Sequence, residues 1–272
     1  MFLALLRYKV SHETLEPYIE EHVAFLKEAY AQNVFVVSGQ MMPDKGDVIL
    51  SPLTRRGEFE QFLRRDPFIQ NDLVSYEIIA FDPSHFHPDF ASFIREPERE
   101  EIELVPHIPE WEALFKKEAE RLSSVLGDTL LQIHHIGSTA IPGILAKPIV
   151  DILPTVKDIH AVDRLTPSLE ALGYEAKGEF GMPGRRYFIK SQDGKRLFNV
   201  HIFEEGHPDV ERHLRFRDYM RSHPEDAAAY SDLKKELVKQ SSDDMERYCW
   251  GKEDFVKAIE VRAFLWHEID KK

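Results

Sequence analysis

The residues of this chain that could do chemistry are concentrated between positions 135 and 153. Gly137 and Ser138 follow an apolar run typical of a strand, and a glycine there lets backbone N–H groups approach a ligand closely. A helix that begins at Ser138 would present free amides to an anion. Lys147 could add a positive charge, and Asp151 lies inside the next apolar run, where an unpaired carboxylate is costly. The segment therefore predicts an anion site beside an acidic residue that needs a partner: a metal ion, a base or a hydrogen-bond network.

Residues farther along the chain could complete this site. Arg186 and Arg217 are candidate phosphate ligands, because the planar guanidinium group binds phosphate oxygens in bidentate fashion. His201, in a strand-like run, could form an acid–base pair with the acidic residue. Alternatives stay open: Arg217 could form an ion pair with Asp218, and a histidine between apolar neighbours is more often structural. Lys234, on a helix rich in lysine and glutamate, is expected on a solvated face.

A second candidate pair, His22 and Asp66, lies in the N-terminal part of the chain, with Ser38 nearby in the predicted fold. His22 is on the first predicted helix, and Asp66 ends the second, just before Pro67. A carboxylate beside an imidazole fixes its tautomer and raises its pKa, which suits a general acid or base. The alternative is that Asp66 only caps a turn and His22 lies on the surface.

The elements that would position this pair follow the order strand, helix, strand, strand, helix, strand. The predicted strands are 2–10, 34–38, 48–50 and 73–81, and the predicted helices are 14–31 and one that Thr54 caps. This order predicts an α+β, ferredoxin-like βαββαβ domain over residues 1–94. One face of its sheet would stay open, so we expect a homodimer through this domain.

Residues 95–104 are predicted to form a linker, and residues 105–272 a second α+β domain. Its predicted strands are 130–136, 148–153, 187–190 and 197–203, and its first helices are 111–126 and 158–172. From His207 onward the pattern is almost wholly helical, with breaks at 222–224 and near Gly251. The second domain is therefore expected to combine a mixed sheet with a helical C-terminal tail.

Length and composition bound the class of protein. A chain of 272 residues suits two domains, and its 43% hydrophobic content is enough for real cores. The formal charge of −13 makes polymeric nucleic acid a poor partner, although a small phosphorylated ligand in a local basic pocket remains possible. The single cysteine, Cys249, and the lack of an apolar run long enough to span a bilayer lead us to expect a cytoplasmic protein without membrane contact.

The segment from His135 to Gly143, with Lys147-Pro148 and Asp151, resembles the GrpB family of UPF0157-type proteins. Segments 186–188 and 216–221 resemble it too, and the resemblance covers roughly residues 103–270. It implies a polymerase-β-like nucleotidyltransferase fold, in which a Gly-Ser turn holds nucleotide phosphates and strand carboxylates hold Mg²⁺. GrpB domains, some of them fused to dephospho-CoA kinase, are classed as predicted nucleotidyltransferases.

The chain departs from the polymerase-β-type pattern in its acidic residues. Those enzymes carry Asp-x-Asp or Asp-x-Glu, whereas Asp151 is followed two places on by Leu153, and His201 stands where a third carboxylate is expected. Magnesium is a hard cation that binds oxygen ligands. Asp151 could hold one Mg²⁺ together with substrate phosphates, could form an acid–base pair with His201, or could belong to a pocket that only binds.

Residues 1–94 resemble the YCII-related family, whose members are dimeric α+β barrel proteins. Its histidine and its Asp-Pro-Phe motif match His22 and Asp66-Pro67-Phe68. The resemblance implies an enzymatic pocket with His22 and Asp66 as catalytic residues.

Together these features predict a transferase that moves a nucleotidyl group from a nucleoside triphosphate to a small molecule. Asp151 and His201 would be catalytic, with Asp151 also the metal ligand. The residues expected to bind the substrate are Gly137, Ser138, Lys147, Arg186 and Arg217. Two alternatives remain: non-catalytic binding of a nucleotide or phosphometabolite, and catalysis confined to the first domain.

Overall fold

The computed structural model describes residues 1–43, 45–95, 102–240 and 245–270. The chain divides into two compact units, Met1–Glu98 and Arg99–Lys272. Most of the linker predicted at 95–104 lies outside the described residues. Among the helices of the described ranges, none has the length and apolar character needed to cross a bilayer.

The described residues of the first unit form one antiparallel sheet, four α-helices and two 3₁₀ turns, Glu16–Tyr18 and Pro88–Phe93. Its elements are β1 (Phe2–Tyr8), α1 (His12–Leu15), α2 (Ile19–Ala31), β2 (Val37–Gln40), β3 (Gly46–Ser51), α3 (Arg56–Leu63), α4 (Pro67–Gln70) and β4 (Val74–Ala80). The strand order in the sheet is β2-β3-β1-β4, and every neighbouring pair is antiparallel. The predicted ferredoxin-like order is confirmed, with α1 and α4 as short additions to its two main helices.

Two details of the predicted helices are wrong. The helix expected over 14–31 is interrupted by a 3₁₀ turn at Glu16–Tyr18, because Pro17 has a fixed φ and no N–H for a helical hydrogen bond. The helix expected to be capped by Thr54 begins later, and its N-cap is Arg55, whose side chain makes no capping hydrogen bond.

The two faces of the first sheet differ in burial. Phe2 and Leu6 of β1 are fully buried, and Phe2 stacks on Phe59 of α3 with ring centroids 5.5 Å apart. Successive side chains of a strand point to opposite faces, so the face away from the helices carries the alternate residues. On that face Val37 and Ile79 are 54% and 40% exposed. The first unit thus presents exposed apolar side chains on its open sheet face, together with the charged Arg7 and Glu77.

The second unit contains a mixed sheet and a helical C-terminal region. Its strands are β5 (Val105–Pro106), β6 (Leu130–Ile136), β7 (Leu145–Ala146), β8 (Val150–Val156), β9 (Tyr174–Ala176), β10 (Arg186–Gln192) and β11 (Lys195–Glu204). Its helices are α5 (Glu110–Leu126), α6 (Ile159–Ala171), α7 (Pro208–Ser222), α8 (Pro224–Gln240), α9 (Met245–Gly251) and α10 (Glu253–Asp270). The five-stranded sheet has the order β6-β8-β11-β10-β9, in which β8 and β11 are parallel, and β5 pairs with β7. The predicted α+β class and helical tail are confirmed.

The two faces of this sheet are packed differently. Val150 and Ile152 of β8 belong to the main core, which α5 and α6 complete. The residues between them point the other way. Leu153 packs there against Val210 of α7, and Asp151 shares that face. Alternation along β8 therefore places the one acidic residue of the strand on the side of the C-terminal helices.

Candidate functional site

The Gly137-Ser138 turn directly follows β6 and lies against Asp151. Gly137 has φ +70°, in the left-handed region that favours glycine, and an added Cβ would lie 2.3 Å from Oδ2 of Asp151. Residues Ser138–Ala140 form a 3₁₀ helix of a single turn, so a helix does begin at Ser138 but it is only three residues long. The turn is therefore shaped to bring its backbone against a carboxylate.

Asp151 is held by polar residues of the two strands beyond it. Asn199 Nδ2 donates to Oδ1 of Asp151 at 2.8 Å, and the Tyr187 hydroxyl donates to the Asn199 amide oxygen at 2.9 Å, which fixes the amide orientation. His201 Nε2 lies 3.6 Å from the same Oδ1. Burial disfavours the charged carboxylate and by itself raises its pKa. Interactions with His201, Asn199 and Lys147 favour the charged form more strongly, so the pKa of Asp151 lies below its ordinary value. Asp151 is thus ionised at neutral pH, with Oδ1 engaged and Oδ2 toward the turn.

His201 orients this carboxylate. Its Nδ1 lies 3.2 Å from Nη1 of Arg185, and because a guanidinium group only donates, Nδ1 must be the acceptor. The ring proton is then on Nε2, which faces Asp151. Burial lowers the pKa of His201, and Arg185 acts in the same direction against the pull of Asp151. Nδ1 of the neutral ring is hydrogen-bonded to Arg185 and Nε2 faces Asp151, so its geometry suits positioning of Asp151 better than proton exchange with a ligand.

Lys234 is a charged residue that contacts the turn directly. Its side chain is buried, with 1% of the residue exposed, and its Nζ donates to Ser138 Oγ at 2.7 Å and to the Leu145 carbonyl oxygen at 2.6 Å. The same Nζ lies 4.1 Å from the centroid of the Tyr230 ring. Burial lowers the pKa of Lys234 to about 7, and the charge of Lys252 adds to the effect. The expectation of a solvated Lys234 is wrong, because α8 directs it inward against the turn.

Two further lysines lie near Asp151. Lys147 Nζ is 3.0 Å from Sδ of Met245 and 5.9 Å from the Tyr248 ring centroid, and Lys252 Nζ is 4.2 Å from the same centroid. Burial lowers the pKa of Lys252, and Asp151 opposes this shift. We call the following set the Asp151 cluster: Ser138, Lys147, Asp151, Asn199, His201, Lys234 and Lys252. It brings the predicted Ser138, Lys147, Asp151 and His201 to one face of the sheet, beside Gly137.

A cavity of about 240 Å³ lies beside Lys147. Lys195 and Arg196, at the start of β11, line it, and Glu103 is the acidic residue of its lining. The charge of Arg196 acts on Tyr187, which donates to the Asn199 amide of the Asp151 cluster. The cavity therefore extends the cationic side of the cluster. This local positive charge contrasts with the formal net charge of −13 of the whole chain.

Arg186 does not join this cluster. It pairs along the β10–β11 ladder with Ile202, one position from the Tyr187–His201 pair, so its side chain points to the opposite face. There it makes two hydrogen bonds to Asp163 of α6, at 2.5 and 2.9 Å. Asp163 raises the pKa of Arg186. The assignment of Arg186 to the phosphate pocket is therefore corrected: it is a structural ion pair.

Arg217 binds protein groups and supports the turn. It makes two hydrogen bonds to Asp218, at 2.7 and 3.1 Å, and donates to the His135 carbonyl oxygen at 3.0 Å. Arg221, one helical turn later, donates to the Ala140 carbonyl oxygen at 2.8 Å. The two arginines of α7 thus hold the backbone on both sides of the Gly-Ser turn. The phosphate role expected for Arg217 is replaced by this positioning contact.

In the first unit, His22 and Asp66 are in contact. Asp66 Oδ1 lies 2.9 Å from His22 Nδ1 and accepts the Phe68 N–H at 2.9 Å, and both residues are buried. The His22 ring stacks on Phe68 with centroids 4.2 Å apart. His22 lines a cavity of about 280 Å³ together with Ser38 and several apolar residues. The sequence alternative that placed His22 on the surface is wrong, whereas Asp66 does cap α4.

Comparison with known proteins identifies the second unit. The family model described as GrpB protein matches residues 101–262, more than half of the chain. The chain belongs to the GrpB family. A model described as YCII-related domain matches residues 1–82. Both resemblances seen in the sequence are confirmed, and we call the two parts the YCII unit and the GrpB unit.

Relatives of the GrpB unit include proteins of different length. UPF0157 protein YqkA of Bacillus subtilis (strain 168) is 44% identical over 168 residues, which are 62% of this chain and 49% of YqkA, so the chain spans about half of that relative. The dephospho-CoA kinase of Mycolicibacterium paratuberculosis is 30% identical over 196 residues, 63% of this chain and 48% of that protein. The crystal structure of conserved protein GrpB from Enterococcus faecalis matches with a TM-score of 0.58 and 39% identity, over 61% of this chain and 99% of that one.

The donor set of the GrpB unit does not build a magnesium centre from protein ligands alone. Asp151 is the carboxylate of the cluster, and its Oδ1 already accepts from Asn199. Nδ1 of His201 and the amide oxygen of Asn199 accept hydrogen bonds from protein groups, and Nε2 of His201 carries the ring proton. Across the described ranges, no three histidine, cysteine or acidic residues group to hold a metal ion. Magnesium prefers oxygen ligands, and the cluster offers it Oδ2 of Asp151 beside the ammonium groups of Lys147, Lys234 and Lys252, whose charge repels a cation.

Lys234 and Lys252 are the functional candidates that reasoning from the sequence missed. Helical spacing places Lys234 among the polar residues of a lysine- and glutamate-rich helix, and nothing local marks it as buried. Its partner Ser138 is 96 positions away. Two features of the sequence could have indicated that Lys234 is buried. Tyr230 precedes it by one helical turn, and Leu233 and Leu237 lie one residue before it and three residues after it.

Proposed function

We propose that the GrpB unit binds a nucleotide at the Asp151 cluster and transfers its nucleotidyl group to a small molecule. The observation that carries the proposal is the buried ammonium group of Lys234, which Ser138 holds beside the carboxylate of Asp151. Burial lowers the pKa of Lys234 to about 7, and an anionic ligand at the turn would favour its charged form. The cationic cavity beside Lys147 extends the same surface and suits the charge of phosphates.

The transfer would form one bond and break one. An acceptor hydroxyl attacks the α-phosphorus of a nucleoside triphosphate, and pyrophosphate leaves. The proton of the hydroxyl goes to Oδ2 of Asp151, the oxygen that faces the turn. Lysine ammonium groups stabilise the charge that develops on the leaving pyrophosphate. In this scheme His201 and Asn199 keep Asp151 in place.

The test is a comparison of nucleotide binding with pyrophosphate release. We expect nucleoside triphosphates to raise the melting temperature of the wild-type protein by mass action. Ser138→Ala should reduce this shift, and Asp151→Asn should keep binding but abolish pyrophosphate release. Asp232→Asn, an exposed carboxylate on α8, is the matched control. A wild-type protein that no nucleotide stabilises contradicts the proposal, and stabilisation without any pyrophosphate release favours the non-catalytic alternative.

A second candidate activity belongs to the YCII unit. Oδ2 of Asp66 is buried and, within the described residues, has no hydrogen-bond partner, while His22 lines an apolar cavity. A histidine supported by a carboxylate suits proton transfer on a small carbonyl compound. The measurement is deuterium exchange into a panel of small carbonyl compounds in D₂O, followed by proton NMR. We expect exchange that His22→Gln abolishes, and equal exchange by the two proteins contradicts this candidate.

A further inference from the structure

Three ammonium groups surround one carboxylate in the Asp151 cluster. The charge of Asp151 acts on Lys147, Lys234 and Lys252. Lys147 and Lys252 lie over the same ring, that of Tyr248, and both act on Lys234. With all groups ionised, this part of the cluster carries three positive charges and one negative charge.

This arrangement is unfavourable without a further anion. Each ammonium group has lost part of its hydration, and like charges at short range repel more strongly in a protein interior than in water. The lowered pKa values of Lys234 and Lys252 are the consequence of that burial and repulsion. A ligand with several negative charges would remove the imbalance.

A divalent metal ion would make the imbalance worse. It would find one free carboxylate oxygen, Oδ2 of Asp151, and three neighbouring ammonium groups that repel it. We infer that the GrpB unit binds a polyphosphate group through Lys147 and Lys252, with the charge of the buried Lys234 behind the turn, and that these ammonium groups take the place that divalent metal ions occupy in other phosphate sites. This inference rests on the proposed nucleotide site and specifies its ligand and its metal dependence.

The adjoining cavity favours a polyphosphate over a single phosphate. Lys147 belongs both to the cluster and to the cavity, and Lys195 and Arg196 continue the cationic surface beyond it. Glu103 is the acidic residue of that lining. A chain of phosphates in this cavity would meet Lys147, Lys195 and Arg196, whereas one phosphate group would meet only part of this surface.

The experiment is calorimetric titration of the full chain with sodium tripolyphosphate, in EDTA and in MgCl₂. We expect binding in EDTA, with an affinity that added Mg²⁺ does not increase. Lys147→Met and Lys252→Met should each weaken binding by about tenfold or more. Lys235→Met, beside Lys234 on α8 but exposed, should bind like the wild type. Circular dichroism of each variant establishes that it is folded.

The outcomes separate this inference from the proposed function. Binding that requires Mg²⁺ overturns the inference and leaves the nucleotide site standing. Binding in EDTA that both Lys147→Met and Lys252→Met retain in full also overturns it, because the anion is then held elsewhere. If neither tripolyphosphate nor any nucleoside triphosphate binds in either buffer, the proposed function fails as well.

Discussion

Gly137 and Asp151 depend on each other at the level of single atoms. The carboxylate can approach the turn only because residue 137 has no Cβ. We expect Gly137→Ala to reduce nucleotide binding by about tenfold or more, because the added methyl group displaces Oδ2 of Asp151. A non-glycine residue at positive φ also costs on the order of 1–2 kcal/mol of stability. Calorimetric titration and thermal unfolding of the variant measure the two effects.

Gly143 provides the matched control for that substitution. It has φ +81°, and a Cβ added there meets nothing within 4 Å. Gly143→Ala should therefore show the backbone cost without the loss of binding. Equal binding losses in the two variants would mean that backbone strain, and not the contact with Asp151, explains the need for glycine at position 137.

Lys234 gives the stability of the protein a defined dependence on pH. Its pKa is about 7 in the folded protein against an ordinary value of 10.5. Between these values the unfolded chain holds a proton that the folded protein lacks, so the free energy of unfolding rises with pH through this window and this contribution is constant below it. The slope from one such group is at most about 1.4 kcal/mol per pH unit. Lys234→Met should remove this contribution.

Urea unfolding of wild type and Lys234→Met at several pH values from 6 to 10 measures the difference. Other groups titrate in the same range, so the comparison between the two proteins carries the result. Lys235→Met, with its side chain 55% exposed, should follow the wild type. Parallel pH profiles for wild type and Lys234→Met would show that Lys234 has an ordinary pKa.

Helix α7 fixes the turn from outside the cluster. Arg217 donates to the His135 carbonyl oxygen and Arg221 to the Ala140 carbonyl oxygen. We expect Arg217→Gln to lower both the melting temperature and the nucleotide affinity, with a stability loss of about 1–3 kcal/mol from the broken hydrogen bonds. Thermal unfolding with and without nucleotide measures both. Arg164→Gln, with its side chain 73% exposed on α6, should change neither. A loss of affinity at unchanged melting temperature would instead restore Arg217 as a direct phosphate ligand.

Periodicity predicted most elements of the two units, and its failures have physical causes. β6 begins and ends where the apolar run predicts it, at Leu130 and Ile136. β9, at Tyr174–Ala176, is too short for an alternating pattern to emerge. The face occupied by Arg186 could not be predicted, because it depends on the register between β10 and β11. A one-residue change of register would have put the same side chain into the pocket.

The candidate site was predictable only where its residues are close in sequence or lie in a recognisable motif. The turn at Gly137-Ser138 and the acidic strand residue Asp151 belong to one segment, and the motif connects them. Lys234 reaches Ser138 from another part of the chain, through the packing of α8. Contacts of that kind depend on tertiary structure, which local spacing does not determine.

At the scale of the whole molecule, the open sheet face of the YCII unit carries exposed apolar side chains. Leu3 and Leu5 of β1 share this face with Val37 and Ile79, and the last two are more than a third exposed. Apolar area of this kind is removed from water most simply by an identical face, which gives a twofold dimer. We propose that the full chain forms a homodimer through this face, as the ferredoxin-like order led us to expect.

Substitution of Leu5 tests this assembly. A carboxylate at that position would be buried without a partner in the dimer, so Leu5→Glu should give a folded monomer. Sedimentation equilibrium should find two chains for the wild type and one for the variant. Lys27→Glu, on the exposed side of α2, changes charge in the same direction away from the sheet and should remain dimeric. A monomeric wild type, or a Leu5→Glu variant that stays dimeric, would contradict a dimer through this face, because Leu5 lies at the centre of β1.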